Sequence, residues 1–225
     1  MEKELGSIDR FKFGSIGLEP VTNDWGSSRG RPVDRYYIEK FLEQNAMEIK
    51  GHVVEVGDAG YTKRFGGAKV TKSDVWDVNS DNSAATIVAD LSEAPQVPSN
   101  SFDCFVLTQV LVLIRDVRAA LSELYRVLRP GGVALISVPG ISQTATKPAV
   151  ADTWWWSFYP RALRSLLLDA GFEKEPLRVD GWGNLKTTVA FLAQVAQSDL
   201  KKADFEYHDE RYPLIVTARA RKPLI

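Results

Sequence analysis

Apolar residues first recur at the spacing of one helix face in the segment after Pro32. The recurring residues are Tyr36, Tyr37, Phe41 and Leu42. Proline suits the first turn of a helix, and Gly51 ends the pattern. The segment therefore predicts a helix over about residues 34–48.

Short β-branched runs alternate with helical stretches through the central third of the chain. This alternation predicts βαβ units, and so a single doubly wound, Rossmann-like α/β sheet. The first five predicted strands are residues 53–56, 68–75, 86–89, Phe102–Thr108 and 133–138. A helix precedes the fifth strand and ends at Pro130-Gly131-Gly132. Its apolar face comprises Val117, Ala120, Leu121, Leu124, Val127 and Leu128.

The two ends of the chain differ in their patterns. The last third predicts helices over 160–170 and 187–197 and strands near 177–179 and 214–220. Residues 1–30 show no sustained period, which predicts a lead-in or a cap over a site. The sequence has no repeat and no low-complexity linker, so residues 31–225 are expected to form one domain.

Polar residues follow several predicted strands, at the sheet edge where open α/β folds bind ligands. Glycines after the first strand permit a tight turn and close approach to a ligand. Asp74 is suited to two ribose hydroxyls, with Asp77 as the alternative. Asp90 could hold an adenine amine while Leu91 packs on the ring. The expected binding residues at this edge are Glu55, Gly57, Asp58, Gly60, Asp74, Asp90, Leu91, Thr108 and Gln109, and we expect Glu55, Asp74 and Asp90 to ring one hollow.

The order of these features, with HVVEVGDAG early and RVLRPGGVALISVPG later, resembles the class I S-adenosylmethionine-dependent methyltransferases. The resemblance covers about residues 30–222 and implies S-adenosylmethionine as cofactor and a mostly parallel sheet with an antiparallel last strand. Gly57 and Gly60 have counterparts in the family's first motif, whereas Asp58 replaces its middle glycine. The resemblance also implies that the segment after Pro32 folds over the cofactor, where Tyr36 or Arg35 would contact the methionine carboxylate. The alternative is that Tyr37 and Phe41 pack while Asp34 and Arg35 make helix-end contacts.

A narrower resemblance is to bacterial methyltransferases that accompany glycosyltransferases in surface-polysaccharide and specialised-metabolite assembly. It rests on RGRPVDRYYIEKFL, VADL, LTQVLVLIRDVRAAL and YHDERYPLIVTARARKP. It implies O-methylation of a small-molecule or saccharide acceptor. This chain has Val112 where such relatives carry His or Gln, and Ser157 where they carry Arg. These departures leave open a changed substrate or a catalytically silent partner protein.

An aromatic cluster follows the fifth strand, beginning at Asp152, and so lies on the ligand side of the sheet. Aromatic faces stack on sugar rings, and consecutive tryptophans cannot all point into one core. The candidate acceptor-binding residues are Trp154, Trp155, Trp156, Tyr159 and Trp182. His208, beside Asp209, is the candidate general base. His52 precedes the first strand, at the end opposite the expected ligand.

Composition restricts the remaining function classes. A net charge of −1 predicts no nucleic-acid partner, and no apolar run reaches the roughly 20 residues of a membrane span. The single cysteine, Cys104, lies in an apolar run, and we expect it to be buried as a small apolar residue. No metal-ligand spacing is present. The first ten residues lack an apolar signal region, so we expect a cytoplasmic protein, and the pattern leaves its oligomeric state open.

One further enzyme class uses the same fold. A nicotinamide-dependent oxidoreductase would also place an acid on ribose after the second strand. The loop after the first strand lacks the full Gly-x-Gly-x-x-Gly pyrophosphate cradle, which disfavours that class.

Overall fold

A single seven-stranded sheet forms the centre of the molecule in the computed structural model, which describes residues 17–145, 153–173 and 175–224. The strand order is β3-β2-β1-β4-β5-β7-β6, and only β7 runs antiparallel to its neighbours. The strands are β1 (Gly51–Val56), β2 (Val70–Asp77), β3 (Ile87–Val88), β4 (Phe102–Thr108), β5 (Leu128–Pro139), β6 (Arg178–Trp182) and β7 (Ile215–Arg221). The predicted Rossmann-like sheet with one antiparallel last strand is confirmed.

Helices cover both faces of this sheet. They are α1 (Val33–Gln44), α2 (Val117–Val127), α3 (Pro160–Asp169), α4 (Leu185–Leu192) and α5 (Lys202–Glu206). Alternate strand residues divide between two cores, so that Val54 and Phe105 join one cluster while Val53 and Cys104 join the other. Cys104 is fully buried, as predicted, and burial raises the pKa of its thiol. The sheet is therefore doubly wound, with helices on both faces, and the ends of its strands can line a site.

Helix α2 buries the apolar face that the sequence predicts for it. Asp116 caps it by accepting a hydrogen bond from the Ala119 N–H at 3.0 Å. The five predicted apolar residues that lie within α2 are all buried. Leu128, predicted as the sixth, begins β5 instead, because Lys222 donates to the Leu128 carbonyl at 2.8 Å and closes the helix end. Residues 129–132 form a bulge within β5, and pairing with β4 resumes at Val133.

The second strand begins and ends two residues later than predicted. A π-helical turn at Thr62–Gly66 and a 3-10 turn at Gly67–Lys69 occupy the start of the predicted strand. These short turns have no apolar period that a sequence could show. The strand therefore ends at Asp77 and not near Asp74, which changes the residue at the ligand edge.

Residues 17–30 are anchored to the segment that follows α4. The Val21 N–H donates to the Ala193 carbonyl at 2.9 Å, and the Trp25 N–H donates to Gln194 Oε1 at 2.8 Å. A Cβ on Gly26 would lie 2.6 Å from the Val195 carbonyl oxygen, so this approach requires glycine. The first 16 residues of the predicted lead-in lie outside the described residues.

Glu48, in the turn between α1 and β1, contacts the far end of β7, away from the ligand edge. Its carboxylate pairs with Arg219 and accepts from Arg221 Nη2 at 2.8 Å. Burial opposes the charge of Glu48, but hydrogen bonds from both arginines outweigh burial and hold its pKa below the ordinary 4.5. The ion cluster therefore stabilises the fold only while Glu48 is ionised.

We expect Glu48→Gln to lower the free energy of unfolding at pH 7 by about 1–2 kcal/mol, because the arginines are partly exposed. A group with a lowered pKa stabilises above its unfolded pKa and loses that effect as pH falls. The difference between wild type and variant should therefore shrink as pH drops below 4.5. Urea unfolding at pH 7 and pH 4 measures this, and a pH-independent difference would contradict the assignment.

Candidate functional site

Three adjoining cavities line the edge of the sheet at which β1, β2 and β4 end. The edge cavity, beside Gly57, Asp77 and Asp90, has a volume of about 1150 Å³. The central cavity, beside Glu55 and Thr108, has about 410 Å³. The aromatic cavity has about 520 Å³ and lies beside residues of the N-terminal segment and Trp154. The edge and central cavities share Val56, and the central and aromatic cavities share Arg31, Arg35 and Tyr61. The three cavities therefore lie next to one another along this edge, and together they are called the cleft.

The edge cavity brings together Gly57, Asp90 and Leu91 as expected, together with Asp77. Gly57 has φ +88, and a Cβ built there would meet no atom within 4 Å, so the backbone borders open space. The Asp90 carboxylate accepts from the Ser92 N–H and hydroxyl at 2.8 and 2.6 Å. These bonds fix its orientation at the cavity mouth.

Asn82 holds two loops of the edge cavity together. Its side-chain amide donates to the Gly57 carbonyl at 2.7 Å and to the Asp77 carboxylate at 2.6 Å. The other Asp77 oxygen accepts from the Asn79 N–H at 2.9 Å. The sequence analysis missed Asn82, because an Asn in a polar loop carries only a turn signal.

Asp74 does not lie in this cavity, and the expectation that it ends the second strand is wrong. It is three residues inside β2, where His52 Nε2 lies 2.5 Å and the Thr86 hydroxyl 2.8 Å from its carboxylate. Lys72 Nζ is 3.1 Å away. Burial opposes ionisation, but these partners lower the pKa of Asp74. Asp77, the alternative in the sequence analysis, lines the edge cavity instead. The expectation that Glu55, Asp74 and Asp90 ring one hollow is therefore wrong, because Glu55 lines the central cavity, Asp90 lines the edge cavity and Asp74 lines neither.

Glu55 organises the loop that borders the central cavity. The carboxylate is 3% exposed and accepts from the backbone N–H groups of Tyr61 and Thr62 at 3.1 and 2.7 Å. Burial raises its pKa, although these bonds act in the opposite direction. Its oxygens hold the turn after β1, so a ligand would meet a loop that Glu55 shapes.

Asp58 replaces the middle glycine of the resemblance and makes its own turn. Its carboxylate accepts from the Gly60 N–H at 2.5 Å. Asp58, Gly60 and Thr108 line the central cavity with Glu55. The side chain therefore supplies the tight turn without requiring the missing glycine.

Arg35, and not Tyr36, faces the cleft from α1. The Tyr36 ring packs against Phe205 with centroids 4.3 Å apart and lines none of the three cavities. Arg35 lines both the central and the aromatic cavity. Burial disfavours its charge, but Asp34, Tyr61 and Asp58 together raise its pKa, so the guanidinium stays cationic. Of the two residues, only Arg35 lines the cleft, because the Tyr36 side of α1 packs on α5.

Two tryptophans distant in sequence meet at the aromatic cavity. The rings of Trp25 and Trp154 stack with centroids 6.1 Å apart and planes 17° apart. The sequence analysis missed Trp25 because its segment has no period. Gln109 lines the same cavity and has φ +59, a rare conformation for a residue with a side chain. Its N–H donates to the Ser137 carbonyl at 2.7 Å, which holds it there.

Trp155 and Trp156 line the edge cavity and are partly exposed. The Trp155 N–H donates to the Val112 carbonyl and the Trp156 indole to the Ile114 carbonyl, each at 2.8 Å. Val112 itself is fully buried, which explains an apolar residue there. Asp152, the first residue of the predicted aromatic run, lies outside the described residues.

Three candidates for acceptor binding or proton transfer lie outside the cleft. Trp182 packs near Tyr37 and donates from its indole to the Thr217 hydroxyl at 2.8 Å, which makes it a core residue. Tyr159 and His208 are exposed and line none of the three cavities. Tyr159 follows β5 and His208 precedes β7, so both lie in segments that meet the expected edge of the sheet, but neither side chain reaches a cavity.

The described part of the chain contains no cluster of three or more His, Cys, Asp or Glu side chains able to hold a metal ion. Within the same residues, no helix combines the length and apolar character needed to cross a bilayer.

Comparison with known proteins points to one family. Residues 55–136 match the methyltransferase domain family. The UbiE C-methyltransferase of ubiquinone and menaquinone biosynthesis from Pectobacterium carotovorum is 36% identical over 83 residues, which cover 36% of this chain and 32% of that protein. The chain thus matches about a third of the length of such curated relatives.

Solved structures extend the likeness to most of the chain. A SAM-dependent methyltransferase from Archaeoglobus fulgidus has a TM-score of 0.56 at 13% identity, covering 84% of this chain and 94% of that one. Phosphoethanolamine N-methyltransferase 2 of Haemonchus contortus, solved with phosphomonomethylethanolamine and S-adenosylhomocysteine, has a TM-score of 0.56 at 16% identity. It covers 84% of this chain and 52% of that one. The likeness to these structures shows a fold of the class I methyltransferase type.

Proposed function

We propose that this chain is an S-adenosylmethionine-dependent methyltransferase that methylates an oxygen of a small-molecule or saccharide acceptor. The observation that carries the proposal is the order of chemistry along the cleft. Acidic groups suited to a nucleoside lie at one end, where Trp155 and Trp156 also line the cavity. A cationic guanidinium lies in the middle, and the stacked rings of Trp25 and Trp154 lie at the other end. The methyltransferase domain match over residues 55–136 supports it.

The residues at the edge and central cavities fit this cofactor. Asp77 would accept from the ribose hydroxyls, and Asp90 with Leu91 would hold the adenine. Arg35 would pair with the methionine carboxylate as a charge-assisted contact. The open space beside Gly57 leaves room for the cofactor. When bound, S-adenosylmethionine supplies a methyl group on a positively charged sulfur.

The chain's own contribution is alignment and exclusion of water. Thr108 ends β4 and lines the central cavity, and Gln109 follows it and lines the aromatic cavity. The two residues would therefore border the reacting groups. The stacked tryptophans at the aromatic cavity would hold the acceptor's ring face. Holding two reactants in line lowers the entropic part of the barrier.

Residues 17–30 act, in this proposal, as a cap over the acceptor end of the cleft. Their attachment to the segment after α4 and the position of Trp25 over Trp154 support that role. Residues 31–224 then provide the binding domain. The saccharide preference and a place beside glycosyltransferases rest on the narrower sequence resemblance.

Calorimetric titration with S-adenosylhomocysteine and with NADH tests the proposal. We expect a one-to-one isotherm with the first and no heat from the second, because the loop after β1 lacks a pyrophosphate cradle. The opposite result would replace a methyltransferase with an oxidoreductase. Tight binding without transfer of labelled methyl groups to any member of a glycan panel would favour a catalytically silent partner, consistent with Val112 and Ser157.

A further inference from the structure

One buried carboxylate, that of Asp34, belongs to the lining of the aromatic cavity. Asp34 is 6% exposed and lines the cavity together with Trp25 and Trp154. Within the described residues, Asp34 Oδ1 makes no hydrogen bond. Arg35 Nε lies 3.9 Å from Oδ2, which is longer than a hydrogen bond. One oxygen of a side chain that lines the cavity therefore has unused hydrogen-bonding capacity.

Asp34 lies in the first turn of α1, where the backbone N–H groups of Arg35 and of Asp34 itself also act on its carboxylate and oppose the rise of its pKa. The helix begins without a side-chain cap hydrogen bond at Pro32. Gln197 instead fixes this start, since its N–H donates to the Arg31 carbonyl and its amide to the Pro32 carbonyl, each at 2.8 Å. A buried polar oxygen left without a partner is costly. A ligand in the cavity would remove that cost.

The groups around Asp34 suit a polyhydroxylated ring. Trp154 and Trp25 offer aromatic surfaces, while Gln109 and Ser142 add an amide and a hydroxyl to the lining. The volume of about 520 Å³ lies within the range of small-molecule sites. Stacked aromatic surfaces with a few converging polar groups are what a sugar ring requires.

The charged groups facing Asp34 adjust its proton affinity. Arg35 lies next to it on α1, and Arg31 and Tyr61 line the same cavity. Burial raises the pKa of Asp34, and the charges of Arg35 and Arg31 act in the opposite direction. Such a carboxylate is a stronger proton acceptor than an exposed one, which suits a general base.

We infer that the aromatic cavity is the saccharide subsite and that Asp34 binds the hydroxyl that is methylated and accepts its proton. The inference rests on the proposed function. In the reaction, the hydroxyl oxygen bonds to the methyl carbon, the carbon–sulfur bond breaks with its electron pair left on sulfur, and the proton passes to Asp34. Atoms and charge balance without a further reactant.

The test uses the full chain saturated with S-adenosylhomocysteine and a panel of methyl glycosides of common hexoses and deoxyhexoses. Binding is followed by calorimetry for wild type, Asp34→Asn and Glu43→Gln. Glu43 is an exposed carboxylate on the same helix and lines none of the cavities, so it is the matched control. We expect at least one glycoside to bind wild type and Glu43→Gln equally, and Asp34→Asn at least about 10-fold more weakly.

Methyl transfer to the glycoside that binds most tightly separates binding from proton transfer. At saturating glycoside, Asp34→Asn should lower kcat about 100-fold, the lower end of general-base effects. Equal glycoside affinity in wild type and Asp34→Asn would overturn the role of Asp34. Absence of glycoside binding to the loaded wild type would overturn the saccharide subsite. In both cases intact S-adenosylhomocysteine binding would leave the proposed function standing, whereas its loss in wild type would refute that function itself.

Discussion

Replacing Gly57 by leucine should reduce the affinity for S-adenosylhomocysteine at least about 100-fold, which corresponds to about 2.7 kcal/mol. A Cβ at this position meets no protein atom within 4 Å, so a longer side chain would extend into the edge cavity. The cofactor and the leucine would then compete for the same space. Calorimetry on purified wild type and variant measures the effect.

Backbone strain needs a separate control, because Gly57 has φ +88. Gly67→Leu supplies it, since Gly67 has φ +55, has open space at its Cβ and lines none of the cavities. Both substitutions place a side chain at a positive φ, at a cost of about 1–3 kcal/mol. Gly67, with ψ −136, lies in a region nearly restricted to glycine, so the control carries at least comparable backbone strain. Both should lower the melting temperature, but only Gly57→Leu should lose the cofactor. Equal affinities in the two variants would show that the edge cavity does not hold it.

Parts of this fold follow directly from local patterns. The bounds of β4 and the buried face of α2 agree with the sequence, because a long apolar run and a helical period are each visible within one segment. The glycine turn after β1 is also local. These elements place Gly57, Asp90 and Leu91 in one cavity, as expected.

The remaining site depended on contacts between distant segments. Arg35 and Tyr36 are neighbours, and only the packing of Tyr36 on Phe205 decides that Arg35 faces the cleft. Trp25 meets Trp154 through the anchoring of its irregular segment beyond α4. A single sequence shows neither contact, since both join positions far apart along the chain.

Asp77→Asn should weaken S-adenosylhomocysteine binding about 10- to 100-fold, because a charged acceptor for hydroxyl groups is worth about 1.5–3 kcal/mol. Asp74→Asn, on the same strand, should leave that affinity within about 2-fold. Its carboxylate is occupied by His52, Thr86 and Lys72, so its loss should appear as a lower melting temperature. Calorimetry and thermal unfolding on both variants separate the two effects. Equal weakening by both would mean that β2 positions the ribose through its backbone, whereas weakening by Asp74→Asn alone would restore the residue first expected from the sequence. Because β2 ends two residues later than the sequence predicts, Asp77 and not Asp74 lies at the cavity. The two variants therefore test which of these carboxylates contacts the cofactor.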